Sequence, residues 1–166
     1  MIILFDINKN MCNAWSNEFY GCNDVKIMNI ELSKLDKVDY LVTAGNSYGI
    51  MNGGIDLALR NLIGVDLQDR IQWSIISKYN KLFLPVGDNI LVSGNEKYKN
   101  IIYAPTMEFP RLINKDNISN IFFNCLVSSI GGDIACCGLG ALTGGVPVEI
   151  VAKEMKIGYD KFKKIN

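Results

Sequence analysis

Short, nearly continuous apolar runs alternate along this chain with longer segments whose apolar residues return every three or four positions. Residues 1–7 (MIILFDI), 25–30 (VKIMNI), 40–44 (YLVTA), 89–94 (NILVSG), 100–106 (NIIYAPT) and 133–140 (DIACCGLG) read as strands. Between them, 8–20, 54–64, 66–80, 116–130 and 147–162 read as helices. End signals agree with these limits. Asn8 or Asn10 can cap the first helix, Gly131 and Gly132 stop the fourth, and Pro147 sits in the first turn of the last. On the second helix, Ile55, Leu59 and Leu62 or Ile63 share a face. On the third, Ile71, Ile75 and Ile76 point inward. Strands that are apolar on both sides must be covered on both faces, so the pattern predicts an α/β/α domain. With 166 residues and no linker, repeat or low-complexity segment, one domain spanning 1–166 is expected.

Composition removes several classes of function. Apolar residues make up 49% and charged residues 20%, which argues against disorder. No apolar run approaches the roughly 18 residues of a membrane span, and no basic region precedes the first apolar run. A soluble, cytoplasmic protein without a membrane partner is expected. The 17 basic and 17 acidic residues cancel, so a nucleic-acid footprint is not expected. The exception is a cluster of Lys153, Lys156, Lys161, Lys163 and Lys164, which reads as the solvated face of a last helix.

The chain contains no histidine, which removes Ser-His and Cys-His nucleophile pairs, histidine metal cages and a histidine base. Its cysteines, Cys12, Cys22, Cys125, Cys136 and Cys137, lack CxxC spacing and are odd in number, against a disulfide framework or structural zinc. Cys136 and Cys137 read as small core side chains in a strand. No metal or cofactor is expected, and acid–base work would fall to carboxylates, cysteines or a tuned lysine.

The glycines are distributed unevenly. Ten of 15 fall in two windows, Gly45–Gly54 and Gly131–Gly145, each associated with a strand-to-helix passage. The first, TAGNSYGIMNGGID (43–56), carries no basic residue. A glycine loop opening a helix offers backbone N–H groups and partial positive charge, enough for a phosphate without lysine. Two such loops side by side suit a diphosphate; each alone could equally be a tight connection. The second window, GLGALTGGVP (138–147), is no Walker loop, because GK[ST] is missing. It also fails GxGxxG, since Thr143 stands where the third glycine is due, and it follows the last strand instead of the first.

VTAGNSYGIMNGGIDLAL (42–59) is similar to the signature of macro domains, ADP-ribose-binding α/β/α modules, approximately V-N-A-A-N-S-x-L-x-G-G-G-G-V-D-x-A-I. Asn46 falls on its second asparagine, Gly53 and Gly54 on its last two glycines, and Asp56 on its aspartate, without a gap. CGLGALTGGVPVEIVAKEM (137–155) resembles the second macro loop, approximately G-T-G-x-x-G-x-P-x-E-x-A, through Gly140, Gly145, Pro147 and Glu149, with Ala152 one position beyond the alanine of the pattern. IIYAPTMEFP (101–110) resembles the intervening strand of a macro-like subset common in phages. The resemblance implies a three-layer α/β/α sandwich with a mixed, mostly parallel sheet.

It also implies a binding mode. Asn46 would hydrogen-bond a hydroxyl of the distal ribose. Gly53, Gly54 and the Ile55 backbone would approach the diphosphate, and Gly140, Ala141, Leu142, Thr143, Gly144, Gly145 and Val146 would wrap the other side. Ile30, Ala44 and Gly45 would complete the lining. In hydrolytic macro domains, an aspartate at the place of Asp56 helps water attack the anomeric carbon, which makes Asp56 and Asn46 the catalytic candidates. The same carboxylate also suits a helix N-terminus by charge alone.

This chain departs from the family pattern in several places. Asn29 stands where an aspartate usually accepts from the adenine amino group; an asparagine can still accept there and can donate as well. Thr43 replaces the first asparagine of the signature. Ala141 and Leu142 replace a Thr-Gly, and because leucine avoids positive φ, this part of the loop should take another shape. Gly144 stands near the usual position of an aromatic that covers the distal ribose, a task Tyr48 could take over. The expected ligand is ADP-ribose or a related NAD-derived nucleotide, with ADP-ribosylated protein as a further partner. Alternatives are an ADP-ribosyl hydrolase or ADP-ribose 1″-phosphate phosphatase, a sponge or sensor of a cyclic or conjugated ADP-ribose signal, and a degenerate fold used for protein contacts.

Overall fold

A computed structural model describes residues 1–109 and 115–165; Pro110, the end of the stretch IIYAPTMEFP, lies outside them. The elements alternate as β1 (Ile2–Phe5), α1 (Lys9–Glu18), β2 (Val25–Met28), β3 (Val38–Asn46), α2 (Gly54–Ile63), α3 (Leu67–Tyr79), β4 (Ile90–Ser93), β5 (Tyr98–Met107), α4 (Ile118–Ser128), β6 (Ile134–Cys136) and α5 (Val148–Ile165). They form one sheet in the order β2-β1-β6-β3-β5-β4. Every pairing is parallel except β4 against β5.

Strand side chains alternate between two cores, as a period of two requires. Leu4, Val42, Ile102 and Cys136 face a core closed by Met11 and Trp15 of α1, Phe122 and Cys125 of α4, and Val151 and Met155 of α5. Phe5, Leu41, Ile101 and Ala135 face the other, closed by Leu59 of α2 and by Leu67, Ile71 and Ile75 of α3. These are the three layers that the strand–helix alternation anticipates.

Local signals act where expected. Asn8 is the N-cap of α1, its side chain accepting from the Asn10 amide. Gly131 follows α4 with φ +90°. On α2 the inward set is Ile55, Leu59 and Ile63, while Leu62 turns outward. The lysines of α5 sit on its outer side, where Lys156 pairs with Asp160 and Lys163 with Asp24. All five cysteines are free; burial pushes the Cys125 and Cys137 thiols up to about 12. Among the described residues no helix is long and apolar enough to cross a membrane.

Strand order reverses between β1, whose chain leads outward to β2, and β3, whose chain leads the other way to β5. β6 fills the gap. The carboxyl ends of β1, β6, β3 and β5 therefore open at one edge, the place where doubly wound sheets hold ligands.

Candidate functional site

A cleft of about 700 Å³ occupies that edge. Its floor comes from the residues that end the four strands: Phe5 of β1 and Asp6 after it, Cys137 and Gly138 after β6, Ala44–Asn46 of β3, and Thr106 with Met107 of β5. Pairing between β3 and β5 slips here, from Gly45 opposite Pro105 to Asn46 opposite Met107. The slip leaves Thr106 as an extra residue, and this bulge puts it in the floor of the cleft.

One wall is the start of α2. Gly53 is the N-cap, has no side chain to satisfy the helix amides, and lines the cleft with Gly54, Ile55 and Asp56. The first helical amides have no acceptor within the helix, so they face the cleft as free donors with the positive end of the dipole behind them. Gly53 has extended backbone at φ −157°. Gly54 sits at φ +55°, in the left-handed region that favours glycine. A Cβ on either meets nothing within 4 Å.

The opposite wall is the loop after β6. Gly140 (φ +82°) and Gly145 (φ +66°) carry its positive torsions, whereas Ala141 and Leu142 do not. A leucine at 142 is thus spared the left-handed region that it avoids. The loop is tied internally, with the Gly145 amide donating to the Leu142 carbonyl (3.0 Å) and the Val146 amide to Gly140 (3.1 Å). Gly140, Leu142 and Thr143 line the cleft. Leu142 remains 63% exposed, at the rim and not plugging the site. Ala141 packs against the core and Val146 is buried in it, while Gly144 and Gly145 stand behind the lining residues.

Asp56 is the more deeply buried of the two buried acids, Asp6 and Asp56, that line the cleft. It is 4% exposed and accepts a 2.5 Å hydrogen bond from the Thr43 hydroxyl, which is fully buried in β3. Burial pushes its carboxyl up to about 7, against the opposing pull of that hydrogen bond. A carboxyl at a helix start is expected to be ionised by the dipole, but burial leaves this one only partly ionised near neutral pH. Thr43, a departure from the signature, proves to be the partner that holds Asp56.

Asn46 is 7% exposed and lines the cleft, but its amide also builds its own loop. Its Oδ1 accepts from the Tyr48 amide (3.0 Å) and the Ile50 amide (3.3 Å), and its Nδ2 donates to the Ile50 carbonyl (2.8 Å). One amide hydrogen is left for a ligand. Below it, the Tyr103 hydroxyl donates to the Asn46 carbonyl (2.8 Å) and accepts from the Asn46 amide (3.0 Å). Gly45 lies under this ring, where a Cβ would fall 2.1 Å from the hydroxyl.

Two expected residues sit differently. Tyr48 points away from the cleft and packs on Phe83 and Phe109, with ring centroids 5.7 and 5.1 Å away. Asn29 is exposed and its amide donates to the Asp6 carbonyl at 2.8 Å; its neighbour Ile30 is the one that lines the cleft. Asp6 itself was not singled out by the sequence reading. It is 8% exposed and accepts from the Asn8 amide (2.9 Å) and from the Gly138 amide (3.3 Å), joining the ends of β1 and β6 under the ligand space. An acid directly after an apolar strand was the available signal. The cleft thus has an apolar end at Phe5, Ile7 and Ile30, a middle rich in backbone amides, and a polar end at Asn46, Asp56 and Thr106.

A family model described as Macro domain matches residues 42–155. An uncharacterized protein of Aquifex aeolicus is 28% identical over 145 residues, covering 84% of this chain and 83% of its own. Among solved structures, the Oceanobacillus iheyensis macrodomain with MES bound superposes with a TM-score of 0.70 at 21% identity, over 82% of this chain and 75% of that one. The macrodomain of Mycobacterium tuberculosis DarG gives 0.67 at 18% identity, over 80% and 87%. At such identities the structures speak for the fold, while the match over 42–155 covers well over half of the residues. The chain belongs to the macro domain family.

Proposed function

We propose that this domain binds ADP-ribose or a closely related NAD-derived nucleotide in the cleft at the strand ends. The observation that carries the reading is the bare start of α2, where Gly53 leaves the first helical amides uncapped in front of the loop from Gly140 to Thr143. Paired glycine walls of this kind fit a diphosphate. The apolar end at Phe5, Ile7 and Ile30 fits a base, with Asn29 beside it offering its amide oxygen to the adenine amino group. The polar end fits the distal ribose, with the free amide hydrogen of Asn46 as donor. Two of the similar proteins support this reading in their own right: the Trypanosoma brucei macrodomain was solved in complex with ADP, and a mutant Oceanobacillus iheyensis macrodomain with ADPR. Calorimetric titration with ADP-ribose, NAD and AMP tests it. Heat with ADP-ribose alone is expected; silence from all three would discard it.

A hydrolase reading rests on a separate observation. A buried carboxyl raised to about 7 and oriented by a threonine has the properties of a general base at neutral pH. Removal of ADP-ribose from protein, or of phosphate from ADP-ribose 1″-phosphate, is the chemistry to assay.

A further inference from the structure

Beside the nucleotide cleft lies a second cavity, of about 480 Å³. Helical spacing builds one of its walls. Asp69, Gln72, Trp73 and Ile76 fall at i, i+3, i+4 and i+7 on α3 and face the cavity together, whereas Leu67 and Ile71 face the core. Tyr48 and Ile50 of the first glycine loop form the facing wall. Ile50 also lines the nucleotide cleft, so one side chain separates the two spaces at the Asn46 end.

The surface around this cavity is unusual for a solvated helix. Trp73 and Leu82 are each 67% exposed, and Phe109 is 52% exposed. Asp69, one helical turn before Trp73, makes no ion pair among the described residues. Its neighbours differ: Arg70 is held by Asp66 at 2.8 Å. Among the described residues no basic side chain lines the cavity. An open indole beside an unpaired carboxylate attracts a cation and repels a phosphate backbone. The charge pattern therefore favours a polypeptide over a nucleic acid.

We propose that this cavity is a subsite for an arginine or lysine side chain next to the modified residue of an ADP-ribosylated polypeptide, with Trp73 stacking on the cation and Asp69 pairing with it. The assignment rests on ADP-ribose occupying the main cleft with its distal ribose toward Asn46. A group attached to that ribose then leaves past Ile50, and the next residues of the polypeptide reach the cavity. Tyr48, packed on Phe83 and Phe109, supplies the fixed wall.

Trp73 is also the reporter. The only other tryptophan, Trp15, is fully buried in the opposite layer. Three probes separate the possibilities: free ADP-ribose, an ADP-ribosylated peptide with arginine flanking the modified residue, and the same peptide with alanine in those places. The arginine peptide should bind about fivefold tighter than the alanine peptide and change the Trp73 emission, which free ADP-ribose should not. Trp73→Ala and Asp69→Asn should each erase that advantage while leaving the affinity for free ADP-ribose unchanged. Equal affinity for the two peptides, or an advantage surviving in both variants, overturns the subsite. So does an ADP-ribosylated oligonucleotide that perturbs Trp73 more strongly than the arginine peptide. If free ADP-ribose does not bind at all, the nucleotide reading fails on its own. The subsite is then read with the unmodified arginine peptide: an emission change that Asp69→Asn removes supports it, and none refutes it.

Discussion

Thr43 and Asp56 are 13 positions apart, on a strand and on the helix that follows it, yet the threonine hydroxyl donates to the carboxylate at 2.5 Å with both side chains buried. This places a titrating acid inside the cleft. Its protonation should be visible in stability. The folded carboxyl sits near 7 and the unfolded one near 3.8, so the native state holds the extra proton between these values. Stability should fall as pH rises from about 4 to about 7, by at most about 1.4 kcal/mol per unit, and level off above. Asp56→Asn should flatten that slope in melts recorded across the range; a slope that survives would assign it to other groups.

Thr43→Val removes the hydrogen bond that holds the Asp56 carboxyl down, so the midpoint of the same transition should move upward. The fold should lose about 1 kcal/mol in denaturant unfolding, the usual worth of such a bond. An unmoved midpoint would mean that the hydroxyl does not set the protonation of the acid.

Gly53 and Gly54 should respond differently to substitution. At Gly54 the left-handed backbone makes Gly54→Ala cost roughly 1–2 kcal/mol whatever the ligand does. At Gly53 the backbone is extended and a methyl meets nothing, so Gly53→Ala should keep its melting temperature. It should nevertheless lose at least about tenfold in ADP-ribose affinity, the equivalent of roughly 1.4 kcal/mol, because the methyl enters the approach to the helix amides. Unchanged affinity for both variants would put the phosphates elsewhere.

Asn29→Ala tests the base end. If its amide oxygen meets the adenine amino group, affinity should drop by about 1 kcal/mol in calorimetry. An unchanged value would leave the base to the shape of Phe5, Ile7 and Ile30.

Binder and enzyme separate at Asp56. Because Ala141 and Leu142 depart from the family's second loop, we expect no turnover of ADP-ribosylated protein or ADP-ribose 1″-phosphate by the wild type. Turnover that rises with pH through about 7 and falls roughly 10²–10⁴-fold in Asp56→Ala would reverse that expectation.

The layers and strand-to-helix order were legible because the central strands β1, β3, β5 and β6 are apolar on both sides and the helices largely on one. The antiparallel partner of β5 was not, since pairing direction leaves no trace in a four-residue run such as Ile90–Ser93. The glycine walls could be read from residue type alone, because only backbone takes part in them. What Tyr48 and Asn29 do could not. Their directions are set by partners distant in sequence, Phe109 for Tyr48 and the Asp6 carbonyl for Asn29. Asp6 was missed for the same reason: a single acid after a strand gains meaning only when Gly138, 132 residues later, presents its amide to it.

The fit between Gly45 and Tyr103 has a consequence for inheritance. The tyrosine ring fills the space that any side chain at 45 would need, and its hydroxyl serves both backbone groups of Asn46. Neither position can drift alone: alanine at 45 collides with the ring, and phenylalanine at 103 strands the buried Asn46 amide, while the Asn46 carbonyl keeps only the Gly49 amide at 3.3 Å. Lineages of this domain should therefore change the two positions together or not at all, and a bulkier residue at 45 should mark descendants whose fifth strand carries a smaller side chain in place of the tyrosine.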